Sequence, residues 1–164
     1  RGGHRWKFSL SYAPLTLAQC SPLWAFLVAQ KGTFLEFTFE LTSKTNQGSA
    51  VDADNVTVKT TVANGDAVEL TGFTASTTNV LKAGDFIRIG ASKKVYMITA
   101  DVTSDSSTDA TVSISPELHT QANVGDAITF NPDFQVSRTS NDVQVNIGVE
   151  QLYDIGEVEL VEVL

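Results

Sequence analysis

The stretch that most constrains this chain is a short helix pattern with almost no polar face, set between two alternating strand patterns. Thr16 or Ser21 can cap it and Pro22 suits a first turn; Leu23, Trp24, Phe26 and Leu27, with the small Ala25 and Ala29, then run to a stop at Gly32. A helix apolar nearly all round must be covered on most sides, by its own core or by another subunit. Before it, Trp6, Phe8, Leu10 and Tyr12 alternate with Lys7, Ser9 and Ser11. After it, Leu35, Phe37, Phe39 and Leu41 alternate with Glu36, Thr38 and Glu40. Both patterns have the period of two that places one face of a strand in a core and the other in water.

A chain of 164 residues, 42% of them hydrophobic, has room for one ordinary core or two small β modules. Only 18% of the residues are charged, and short apolar runs recur between Thr, Ser, Asn, Asp and Gly, which predicts a mainly-β architecture with one short helix. With 11 Lys and Arg against 19 Asp and Glu the net charge is −8, so nucleic acid is not an expected partner. The small basic start, Arg1, His4, Arg5 and Lys7, reads as a solvated terminus. No apolar run is long enough to span a membrane, and the start carries no signal-peptide pattern. Met97 is the only methionine, so Arg1 is read as a processed or truncated start, from which a targeting segment could have been lost.

The polar run from Thr42 to Ser49 has no periodicity and reads as a linker, residues 43–50. Beyond it the same short phrase occurs three times. Gly65-Asp66, Gly84-Asp85 and Gly125-Asp126 each introduce apolar residues two apart, a turn followed by a strand. The unequal intervals exclude a solenoid and favour one small barrel or sandwich. Lys94–Ala100 and Ala110–Pro116 flank a polar turn and predict a β-hairpin, which Pro116 ends because it has no N–H to donate. The expected core of this module is Val68, Leu70, Ile87, Ile89, Val95, Tyr96, Ile98, Val112, Ile114, Ile128 and Phe130. The last strand, Glu157–Leu164, finds a plausible neighbour in the first, Arg5–Tyr12. The expected organisation is therefore a domain built from residues 1–42 and 132–164, with a β module, residues 51–131, inserted into it.

No constellation of reactive residues emerges. Cys20 is the only cysteine, and neither His4 nor His119 lies in a nucleophile motif, so a buried structural thiol is expected. Asp52, Asp54 and Asn55, and Asp101, Asp105 and Asp109, lack the spacing of a calcium loop and read as turn residues. His119 has no partner at zinc-ligand spacing, and the Gly-Asp turns precede strands and lack the phosphate-loop continuation. Trp6, Tyr12, Trp24, Tyr96 and Tyr153 could stack on a sugar, but Trp24 and Tyr96 are better read as packing residues, and only Tyr153 sits where exposure is open. No catalytic, cofactor-binding or metal residue is expected, and no cofactor.

The segments Arg5–Tyr12, Ala25–Gly32 and Phe34–Phe39 resemble the start of tail-tip structural proteins of tailed bacteriophages, the distal tail protein group. In that group a tryptophan strand, a helix with an aromatic-Leu pair and a basic-Gly stop lead into a Phe-rich strand. Ala83–Ile89, Lys94–Tyr96, Thr99–Asp105 and Ala110–Pro116 are similar to a β module that recurs in phage virion proteins. The resemblance implies a β-sandwich or barrel ring domain bearing an inserted small β-barrel. It implies a homo-oligomeric ring between the tail tube and the host-recognition hub or fibres, in the virion tail and assembled in the host cytoplasm. It implies no catalytic residues. A head-to-tail connector or decoration protein would read much the same, and a carbohydrate-binding or adhesion module is a further alternative. On the ring reading, Trp6, Phe8, Trp24, Phe26, Leu27, Phe37 and Phe39 carry assembly or core packing.

Overall fold

A computed structural model describes residues 4–41, 46–50, 55–149 and 152–164. The protein is mainly β, with one helix among the described residues. In chain order the elements are β1 (Lys7–Leu10), α1 (Leu17–Ala29), β2 (Phe37–Phe39), β3 (Thr57–Val58), β4 (Ala67–Thr71), β5 (Phe86–Ile89), β6 (Val95–Ile98), β7 (Asp109–Ser115), β8 (Ile128–Phe130), β9 (Phe134–Arg138), β10 (Asn146–Ile147), β11 (Tyr153–Asp154) and β12 (Val158–Glu162). They fall into two compact units. One holds Glu40–Phe134 with His4, and the other holds Arg5–Phe39 and Gln135–Leu164.

The first unit is a six-stranded antiparallel sheet in the order β3-β4-β7-β6-β5-β8. Its two end strands meet. Thr57 bridges Ala127, Val58 N–H donates to the Asp126 carbonyl at 2.9 Å, and the N–H groups of Gly125 and Ile128 donate to Val58 and Val56, each at 2.9 Å. The sheet is thereby nearly closed into a barrel, which pairs backbone groups that an open sheet would leave exposed at its edges. Every residue of the expected core is buried, from Val68 and Leu70 to Ile128 and Phe130. On β7 the alternation is regular: Ala110, Val112 and Ile114 face in, while Thr111, Ser113 and Ser115 face out. Tyr96 is buried with its hydroxyl satisfied, accepting the His119 N–H at 3.1 Å.

Two of the three Gly-Asp turns prove to be the same device. Gly84 and Gly125 have φ of +98° and +87°, a left-handed backbone that glycine adopts without strain. Each donates its N–H to the barrel, Gly84 to the Ile98 carbonyl and Gly125 to that of Val58, and the following Asp carbonyl accepts the N–H of that same residue in return. In both, the Asp carboxylate reaches back three residues, Asp85 to Lys82 N–H and Asp126 to Asn123 N–H, each at 2.8 Å. Asp85 goes further. Its buried carboxylate also accepts the N–H groups of Gln47 at 2.7 Å and Gly48 at 3.1 Å, and the Asn46 side chain exchanges hydrogen bonds with the Phe86 backbone. Residues 46–50, within the stretch expected as a linker, thus lie along the barrel.

On the outside of the barrel, Lys59 Nζ meets Glu69 at 2.7 Å and Asp109 at 2.8 Å, and Thr60 donates its hydroxyl to the other Glu69 oxygen. The hydrogen bonds hold both carboxyls below the ordinary carboxylate range and raise Lys59 above its ordinary value.

The second unit is built on a four-stranded sheet in the order β1-β12-β9-β2. The first and last strands pair as the sequence indicated, antiparallel with Phe8 opposite Leu160 and Leu10 opposite Val158. In a flat sheet the edge strands β1 and β2 would lie roughly 14 Å apart. The Phe8 and Phe39 rings nevertheless sit 4.9 Å centre to centre, so the sheet curls and both side chains reach inward. Central β12 points Val158, Leu160 and the buried Glu162 inward; Glu162 accepts the Trp6 N–H at 3.2 Å.

The helix corrects one expectation. Pro22 lies well inside it, not in its first turn, because the start is fixed at Thr16, whose N–H and hydroxyl both reach the Gln19 side-chain oxygen at 3.0 Å. The missing proline N–H removes one helical hydrogen bond. Gly32, with φ of +69°, passes against Asn141, whose side-chain oxygen accepts the Thr33 N–H at 2.9 Å.

Two outcomes follow. Asp85→Ala removes the acceptor of three backbone N–H groups, each costing about 1–3 kcal/mol if left unsatisfied, so a loss of roughly 3 kcal/mol or more is expected in denaturant titration. A loss under about 1 kcal/mol would show that those amides find other partners. The lowered Glu69 and Asp109 values mean that their stabilisation is present above the unfolded-state values and is lost as pH falls through the folded-state ones; that of Lys59 is present below its unfolded value and lost at higher pH. In Lys59→Met, carboxyl NMR should find both acids titrating at higher pH than in the parent protein.

Candidate assembly surface

α1 has too few polar residues to present a solvated face, and the sheet covers only one side of it. Cys20 and Leu27 are buried and Leu23 is half-buried, all on that side. Leu17, Ser21, Trp24 and Val28 recur at i, i+4, i+7 and i+11, a single line along the helix, and all four are exposed. Ser21, Trp24, Ala25, Val28 and Ala29 form a shallow apolar slot on this side, open to solvent. The expected cover over Trp24 and Phe26 is therefore not supplied within the chain, where each is 42% exposed. A single helix meets a curled sheet along one stripe, and its remaining apolar residues have nothing left to pack on. Phe26 lies edge-on to Phe37, with ring centres 5.2 Å apart. Of the other expected packing residues, Leu27 is buried and Trp6, Phe8, Phe37 and Phe39 are half-buried.

A second apolar patch was missed by the sequence reading. β10 and β11 pair as a short ribbon whose residues Ile147, Val149 and Leu152 are exposed, Val149 to 91%. The ribbon is tied back by a reciprocal pair of 2.8 Å bonds between Leu15 and Tyr153, which leaves Tyr153 half-buried in a strand. Phe34, just beyond the helix, is 79% exposed. A signal was present for part of this patch: Val143, Val145, Ile147 and Val149 alternate with Gln144, Asn146 and Gly148, a strand period that does not say whether the apolar face is covered.

Of the nine large hydrophobic residues exposed among the described residues, only Val124 belongs to the barrel; the other eight lie in the second unit. Arg138 ties the helix to the sheet. Its buried guanidinium donates to the Leu27 carbonyl at 3.3 Å and to the Asp142 carbonyl, bringing a cation to a helix end that has no basic residue in its own last turn. Beside it a polar cleft of about 320 Å³ is lined by Asp142, Gln144, Glu157 and Glu159 among others.

The residues considered for chemistry are placed as follows. Cys20 is fully buried. Asp101 accepts the Ala83 N–H, Asp105 accepts those of Ser107 and Asp109, and Asp109 pairs with Lys59, so all three carboxylates serve the fold. Asp52 and Asp54 lie outside the described residues. Among the described residues no three His, Cys, Asp or Glu side chains gather to hold a metal, and no helix is long and apolar enough to cross a membrane. In the barrel, Phe73, Tyr96 and Phe130 are buried, and Phe86, half-buried, packs edge-on with Phe134 at 5.7 Å.

A search of curated proteins gave no match. A family model described as "Distal tail protein pb9, B domain" matches residues 45–132, a segment that contains all six barrel strands. That match covers more than half of a chain whose barrel closes on itself and whose exposed apolar surface is gathered elsewhere. The chain belongs to this distal tail protein family and is a structural protein of a bacteriophage tail.

Proposed function

We propose that the protein is the subunit of a homo-oligomeric ring at the tail tip, joining the tail tube to the host-recognition hub or fibres. In this reading residues 1–42 and 132–164 assemble the ring, and the barrel of residues 51–131 is an inserted module carried on it. The observation that supports it most is the uneven distribution of exposed apolar side chains, nearly all in the second unit. Contiguous apolar surface on a folded unit marks a contact with another molecule.

The surface also has the form a ring needs. A ring closes by head-to-tail contacts, in which two different patches of one subunit meet their complements on its neighbours. The α1 line of Leu17, Trp24 and Val28 and the ribbon patch of Ile147, Val149 and Leu152 are two such patches. The edge strands β1 and β2 add backbone groups that a neighbouring copy can pair. Trp24, half-covered in the single chain, gains its partner on assembly. Its truncation should therefore affect association more than the folding of one subunit, where a core Trp would cost about 3–5 kcal/mol.

Light scattering on the purified protein should show a closed oligomer. Trp24→Glu and Val149→Asp should each yield monomers with unchanged circular dichroism. An equimolar mixture of the two variants should give dimers and nothing larger, since each partner keeps one intact patch. A parent protein that stays monomeric at all concentrations, or variants that assemble normally, would overturn the ring. Cross-linking in intact virions tests its placement: links to tube and hub subunits are expected, and links only to head proteins would replace the tail-tip position.

A further inference from the structure

We infer that Asn64-Gly65, in the turn leading into β4, is a site of spontaneous covalent modification, at which the asparagine amide is converted to aspartate and isoaspartate. It is the only Asn-Gly step in the sequence. Asn64 is exposed, and Gly65 has φ of +124° with no atom within 4 Å of the place a Cβ would occupy. The Gly65 carbonyl accepts the Leu118 N–H at 2.8 Å, but the Gly65 N–H and the Asn64 side chain make no hydrogen bond among the described residues. Nucleophile and electrophile thus adjoin, unshielded and uncommitted.

The reaction needs only water. The Gly65 nitrogen, having given up its proton to hydroxide, attacks Asn64 Cγ; the new C–N bond closes a five-membered succinimide as the Cγ–Nδ2 bond breaks and ammonia leaves. Water then opens the ring. Cleavage of the C–N bond at Cγ returns the ordinary main chain and leaves aspartate. Cleavage at the main-chain carbonyl leaves isoaspartate, with the backbone rerouted through the side-chain methylene.

The other asparagines lack this combination. Asn55, Asn79 and Asn123 precede β-branched valine, Asn146 precedes β-branched Ile147, Asn131 precedes Pro132, which has no N–H, and the nitrogen after Asn46 is occupied, since Gln47 N–H donates to Asp85. The nitrogen after Asn141 is occupied, since Asp142 N–H donates to Ser140 Oγ at 3.1 Å. The two sister turns carry Ala83 and Val124 before their glycines and cannot react. The consequence is local and directional. An extra main-chain carbon just before Gly65 moves the carbonyl that holds buried Leu118, and a new carboxylate appears two residues from Asp66. Because the step is one-way, its extent records the age of each barrel.

The test is to incubate the purified full chain at mildly alkaline pH in ¹⁸O-water and to map its peptides by mass spectrometry, with electron-transfer fragmentation to separate isoaspartate from aspartate. One ¹⁸O should enter at residue 64, with isoaspartate in excess, earlier than at any other asparagine. Asn64→Gln should lose the product. Amide exchange at Leu118 should quicken in the isoaspartate fraction and stay at the parent rate in Asn64→Asp, which has the charge without the longer backbone. An Asn64 that keeps its amide while Asn79 or Asn141 converts first, or a product without label, would overturn the inference.

Discussion

The structure depends first on the backbone hydrogen bonds that join β3 to the Gly125-Asp126 turn and the start of β8. Without them the sheet would end in two rows of unpaired N–H and C=O groups, and its core would open along one side. With them, Val56 and Val58 are drawn inside with Val68, Leu70, Ile87 and Val112. Asp85 extends the same logic to the incoming chain. By accepting the N–H groups of Gln47 and Gly48 it replaces the water those groups would otherwise need, and it holds residues 46–48 against the barrel.

The second unit is arranged on the opposite principle. Its sheet is curled with β1 and β2 as the end strands, and its helix has one buried stripe and a longer exposed one. Arg138 and the Thr16–Gln19 cap fix both ends of that helix, so the exposed stripe is presented in a set position. A surface of this kind is preorganised for association, because little ordering is left to be done when a partner arrives. The contrast between a barrel with a buried core and a unit with uncovered apolar surface agrees with membership of a tail structural family.

Much of the barrel was legible in the order of residues. The alternation of Ala110, Val112 and Ile114 with Thr111 and Ser113 is a strand pattern that local sterics impose, and it survived unchanged. The Gly-Asp phrase located the starts of β4, β5 and β8, since glycine at positive φ and an aspartate that accepts nearby N–H groups are local requirements. The candidate surface was less legible. Trp24 and Phe26 were identified as packing residues from their place in an apolar helix, but the composition of a helix with no polar face cannot say which side its own chain covers. Ile147 and Val149 continue the strand period of Val143 and Val145, but that period does not say whether its apolar face is covered. The start of α1 was left open between Thr16 and Ser21, with Pro22 placed in the first turn, because the Gln19 side chain, three residues past the cap, was not weighed.

The sequence by itself therefore determined the mainly-β class, the single apolar helix, the turns and the inward residues of the barrel, all of which follow from periods of two and 3.6 and from backbone preferences acting over a few residues. Only the tertiary structure decided that Asp85 is a buried acceptor for Gln47 and Gly48, that Arg138 reaches Leu27, and which side chains of α1 stay uncovered. Those hydrogen bonds join residues 37 to 111 positions apart, and no local rule carries information over that distance.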